Sequence, residues 1–243
     1  MTPSRTGLLR AVLPLGLAAA VAAGCGTATP APGPTTAAPP GTAGGTATTA
    51  PTAPGTRPAP TLPTPATVVA SRVTYPWQWP GAGDDASVPH TVPVPPVPRL
   101  VWLGAASHPA QGGERAFDRL SFTFTTGFPG YRFGYAATLV ADGSGQRVPL
   151  AGRAVLRIVF TPAQAHDDAG APTIASQPPA RLDLPRVVAY APAGDFEAVL
   201  TYGLGVTWPA GQADPRIPVR VSEVEIVTGG QHRYVVEFDV DAG

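Results

Sequence analysis

From Arg99 to the C-terminus the chain alternates between apolar and polar positions with a period of two. Leu120, Phe122 and Phe124 fall on one side of an extended segment, while Arg119, Ser121 and Thr123 fall on the other. The spacing recurs in Tyr131, Phe133, Tyr135, Ala137 and Leu139, and again in Ala154, Leu156, Ile158 and Phe160. At the far end His232, Tyr234, Val236, Phe238 and Val240 alternate against Arg233, Val235, Glu237 and Asp239. Further strands are predicted at 99–103, 186–190, 196–202 and 219–227. Turn chemistry separates the runs at Phe128-Pro129-Gly130, Asp142-Gly143-Ser144-Gly145, Ala193-Gly194-Asp195 and Thr228-Gly229-Gly230. About eight short strands without a long amphipathic helix predict an all-β domain, a β-sandwich, over 96–243. Only 162–168 has room for a short helical turn, and the Pro-rich stretch 169–185 reads as an irregular insertion in preference to a functional surface loop.

The N-terminal part has no such alternation. Arg5 and Arg10 precede a 13-residue apolar run, Ala11–Ala23, broken only by Pro14 and Gly16. A bilayer-spanning helix needs about 20 apolar residues, so 1–24 reads as an export signal rather than a permanent span. The small residues Ala22-Ala23-Gly24 lead directly into Cys25 and resemble a bacterial lipobox, with Ala22 where leucine is usual. Cys25 is therefore the candidate lipidation site. The expected location is extracytoplasmic, with a lipid anchor on the outer face of the cell membrane; secretion with a free Cys25 thiol is the alternative.

After Cys25, residues 27–67 contain 11 Pro, 13 Thr, 10 Ala and 5 Gly, with Arg57 the one charge and Leu62 the one large aliphatic. Such a polymer buries too little apolar surface to offset its ordering entropy, and 25–67 is expected to be a disordered tether. Its reach is roughly 120 Å as polyproline II and about 40 Å as a coil. Residues 68–95 form an aromatic, Pro-rich lead-in whose Trp77 and Trp79 suit either ligand contact or docking on the sandwich edge.

Composition narrows the chemistry. The 16 basic residues are all arginine and are matched by 16 acidic ones. No basic block of the kind that binds a phosphate backbone occurs, which argues against nucleic acid. With one cysteine, disulfides, zinc–thiolate sites and iron–sulfur clusters are excluded within the chain. His90, His108, His166 and His232 belong to no metal-ligand array, and His166-Asp167-Asp168 is the nearest local set, so no metal or cofactor is expected. Gly143-Ser144-Gly145 sits in a turn rather than a nucleophile elbow, and Gly203-Leu204-Gly205 suits a bulge better than a phosphate cradle. Asp195 and Glu197 straddle Phe196 and would share one side of a strand, while Asp118-Arg119 occupies a similar strand start. Asp118, Asp195 and Glu197 are thus weak candidates for an acid–base pair in glycan or amide hydrolysis. With Arg119, they are also candidates for ligand contact. Tyr131, Phe133 and Tyr135 leave open a carrier for a small apolar ligand, although a packed core accounts for them equally.

Four blocks, taken in order, resemble the AMIN-like domain of actinobacterial lipoproteins: 116–124, 127–135, 194–199 with Gly203-Leu204-Gly205, and 233–240. The long approach 106–115 and the expanded 169–185 depart from that pattern. The resemblance implies an extracytoplasmic β-sandwich related in shape to the AMIN modules that target cell-wall amidases to peptidoglycan or other envelope components. It carries no amidase catalytic unit. The expected function is a non-catalytic envelope module contacting cell-wall polymer or an envelope protein.

Overall fold

A computed structural model describes residues 66–82 and 86–243. The expectations for the signal over 1–24, for Cys25 and for the tether up to residue 65 lie outside the described residues. Twelve strands, rather than about eight, are present among the described residues. They are β1 (Thr67–Gln78), β2 (Ala86–Val88), β3 (Leu100–His108), β4 (Phe117–Phe124), β5 (Gly130–Ala136), β6 (Leu139–Val140), β7 (Arg147–Val148), β8 (Ala154–Thr161), β9 (Val187–Phe196), β10 (Val199–Val206), β11 (Val219–Thr228) and β12 (Gln231–Asp241). They build a first sheet of order β1-β11-β12-β4-β3, a second of order β2-β5-β8-β10-β9, and the small pair β6-β7. The lead-in contributes an edge strand to each large sheet.

The two sheets face each other across an aromatic core. The inward set of β4, Leu120, Phe122 and Phe124, and that of β12, Val236, Phe238 and Val240, are fully buried, as are Leu156, Ile158 and Phe160 from β8. Rings from opposite sheets touch, with centroids 5.0 Å apart for Phe122–Phe160 and 5.3 Å for Phe133–Phe238. Period-two patterning and burial agree here because each of these strands has one face on the core.

Three local expectations are corrected. Leu139 does not continue β5: the chain leaves that strand after Ala136, and Leu139 packs with Val155 and Ala193 on the outer face of the second sheet. Ala193-Gly194-Asp195 is not a turn but part of β9, and the reversal falls at Glu197-Ala198, both with positive φ (50° and 58°). Residues 162–168 form no helical turn; Gln164 and His166 instead make isolated bridges. The irregularity expected near Gly203-Leu204-Gly205 is present: the register of β10 against β9 slips between Gly205 and Val206, and both glycines allow close approach, since a Cβ at Gly205 would sit 1.7 Å from the Ala151 carbonyl oxygen.

The 169–185 stretch is more than an insertion. Ala175 N–H donates to the Val101 carbonyl at 2.9 Å, and Leu103 N–H donates to that of Ser176 at 3.0 Å, along the open side of β3. Further on, Leu182 N–H donates to the Val188 carbonyl and Tyr190 N–H to that of Ala180, along the open side of β9. One segment therefore covers an edge of each sheet, where unpaired backbone groups would otherwise invite another strand.

Candidate functional site

The outer face of the second sheet carries a groove that crosses its strands. Tyr131 and Phe133 point into the core, so Arg132 between them points out; Arg157 is placed outward in the same way between Leu156 and Ile158. One cavity of about 350 Å³ is lined by Arg132, Asp142, Arg157, Asp195, Phe196 and Glu197, with Gly143, Gly194 and Val199 filling out its wall. A second, of about 270 Å³, runs from Arg132 past Val159 to Ser87 and His90. Arg132 lines both, and the two depressions meet there.

Local structure holds the charged lining in place. Asp142 lies against Gly194, where a Cβ would come within 2.3 Å of Oδ2, and Arg157 Nη2 donates to its Oδ1 at 3.0 Å. Asp195 accepts from Ala165 N–H at 3.2 Å, and His166 Nδ1 lies 2.8 Å from its Oδ2, which ties the 163–168 segment to the β9–β10 turn. Phe196 stands at the lip with 73% of its surface exposed. An aromatic ring so presented at the end of a strand makes no contribution to the core.

The sequence candidates divide among three places. Asp195 and Glu197 share this cavity, but not on one side of an entering strand as expected, because Glu197 belongs to the turn. Asp118 is fully buried elsewhere: its Oδ2 accepts from the backbone N–H groups of Arg186 and Val187 at 2.5 and 2.9 Å and so fixes the start of β9. Asp195 lies at the other end of that ten-residue strand, roughly 26 Å away at the usual rise. Glycosidase carboxyl pairs stand about 5–9.5 Å apart, so the three carboxylates do not form one such site.

Arg119 and Trp77 lie on the outer face of the first sheet, in a network closed on itself. Arg119 makes a two-pronged pair with buried Asp239, at 2.6 and 2.9 Å, and reaches Glu237 at 2.8 Å. Arg220 joins Asp239 from the other side at 2.9 Å and covers the Trp77 ring at 4.7 Å, with Arg115 over the same ring at 4.9 Å. Burial holds the Glu237 carboxyl above its ordinary value of 4.5 despite Arg119. Trp79 is half-buried beneath the guanidinium of Arg216, 5.0 Å from the ring centroid. His166, Asp167 and Asp168 take separate partners: Asp195, the N–H groups of Ala169 and Ala171, and Arg99.

Sequence reasoning missed the arginines of the groove and a buried cluster behind it. Glu223, only 1% exposed, receives Arg72 Nη2 at 2.7 Å, His90 Nε2 at 2.6 Å and the Tyr131 hydroxyl at 2.9 Å. The Tyr131 hydroxyl is also 2.6 Å from Thr74 Oγ1, and burial raises its pKa. Tyr131 and Phe133, two of the residues that suggested an apolar carrier, are packed in the core.

Fold and surface together define an all-β sandwich domain with one grooved sheet face. The AMIN-like domain model matches residues 110–239, more than half of the chain, and the chain belongs to the AMIN-like domain family. The match leaves out β1 to β3, although β1 and β3 form the two edges of the first sheet. Neither a curated protein nor a solved structure matches the chain.

Proposed function

We propose that this protein is a non-catalytic module of the cell envelope that holds peptidoglycan along the groove of the second sheet. The observation that carries the reading is the groove itself: two depressions meeting at Arg132, in a chain of a family whose name and fold point to the envelope. Asp118, at the far end of β9, supplies no partner to Asp195 and Glu197. Retention of the chain on purified peptidoglycan, measured at low and high salt, tests the reading. Binding that weakens as salt rises is expected, because partly exposed charges are screened. No retention at either salt concentration overturns it.

The same reading has the protein exported and anchored through Cys25, with 26–65 as its spacer. A single acyl chain gives marginal membrane attachment and two or more give stable attachment. Cys25→Ala is expected to abolish lipid labelling and to move the protein from the membrane fraction to the medium or to an unprocessed precursor. Wild-type protein found cleaved, unlipidated and free in the medium would refute the anchor.

A further inference from the structure

We propose that the groove recognises the peptide stem of peptidoglycan, a short zwitterionic chain, rather than the glycan strand; this rests on the function proposed above. The lining decides between the two ligands. The polar side chains that face the larger cavity are ionic, Arg132 and Arg157 against Asp142 and Glu197, with Phe196 exposed beside them and Val199 on the wall, while the Asp195 carboxylate at its rim is turned to Ala165 and His166. In intact peptidoglycan the glycan strand offers neutral hydroxyl and acetamido groups, its lactyl carboxyls being held in the amide bonds to the stems, and the partners of such groups would be neutral amides and hydroxyls. A stem peptide offers free carboxylates, a free amine and alanine methyl groups. Carboxylates suit a guanidinium, which presents five donors in a fork and so can donate to a further oxygen while already engaged. An amine suits Glu197, on the turn at the opposite end of the cavity from Arg132, and methyl groups suit Phe196 and Val199.

Dimensions agree. From β5, which carries Arg132, to β9, which carries Phe196, the groove crosses β8 and β10. Three interstrand spacings come to about 14 Å. An extended pentapeptide spans about 17 Å. Part of the rim is also pre-set: Asp142 holds Arg157, and His166 with Ala165 holds Asp195, which lowers the ordering that binding must drive.

The test uses the full chain in detergent against three probes: intact peptidoglycan, glycan strands stripped of stems by an amidase, and a soluble stem pentapeptide as competitor. Retention on intact material, loss on stripped strands and displacement by the pentapeptide are expected. Arg132→Gln and Glu197→Gln are each expected to weaken retention about tenfold or more, since each removes a charged hydrogen bond. Both positions are on the surface, and an unchanged melting temperature establishes that each variant folds. Arg233→Gln, on the other sheet, is expected to leave retention unchanged. Equal retention on stripped and intact material, or full retention by both groove variants, overturns the stem assignment while leaving peptidoglycan binding intact. No retention on any probe overturns the function itself.

Discussion

Phe238→Ala is expected to cost about 3–5 kcal/mol of stability, the loss typical of a fully buried phenylalanine. The ring has no exposed surface, and its centroid lies 5.3 Å from that of Phe133, 5.9 Å from Tyr131, 6.0 Å from Phe122 and 6.2 Å from Phe160. Three of these neighbours belong to the opposite sheet, so the cavity left behind opens where the two sheets grip each other and cannot close by the shift of one side chain. Domains of this size are stable by about 5–15 kcal/mol, which makes the loss a large share of the total. Phe196→Ala is the matched comparison: the same atoms are deleted from a ring already 73% exposed, and the expected change is within about 0.5 kcal/mol. Urea unfolding of both variants measures the contrast. Equal losses would mean that the inside and outside of the sandwich are wrongly assigned.

Glu223→Ala is the second large effect, with an expected loss of about 3 kcal/mol or more from breaking a buried charge network. The carboxylate is the common acceptor for Arg72 on β1, His90 after β2 and Tyr131 on β5. Removing it strands the largely buried His90 ring and leaves the Tyr131 hydroxyl with Thr74 alone, whereas Arg72, 62% exposed, can turn to water. Glu223→Gln keeps an oxygen for His90 and Tyr131 and should cost clearly less than alanine. The damage is expected to be local as well as global. Amide exchange in β1 and around His90 should rise before that of β4, β8 and β12. Uniform exchange in the alanine variant, or equal melting temperatures for the two, would refute a network that ties the lead-in to the sandwich.

How much of this was legible follows from how each strand is buried. β4, β8 and β12 announced themselves because their core-facing residues keep strict alternation. β1 did not: its register against β11 slips between Val68 and Ala70, between Val73 and Tyr75, and between Tyr75 and Gln78, and each slip breaks the period. The β9–β10 reversal was misplaced because the glycine rule pointed to Gly194. That glycine makes room for Asp142, while the left-handed positions are held by Glu197 and Ala198. For the candidate site, Asp195 and Glu197 were visible as neighbours in sequence. Arg132 and Arg157 were not, because only the pairing of Arg132 with Val159 brings their strands side by side. A reading that listed outward positions strand by strand would have found both arginines, but not their adjacency.

The Arg72–Glu223 pair also has a mechanical meaning. Thr67, the first residue of β1, is the point at which a pull transmitted along the backbone from the N-terminal part of the chain first loads the sandwich, through its pairing with Val227. Peeling from that end releases the irregular rungs up to Ser71 and then meets Arg72, riveted to a carboxylate that is itself fastened to His90 and Tyr131. A load on that end of β1 is thus shared, through Glu223, with His90 and with Tyr131 of the opposite sheet, the one that carries the groove.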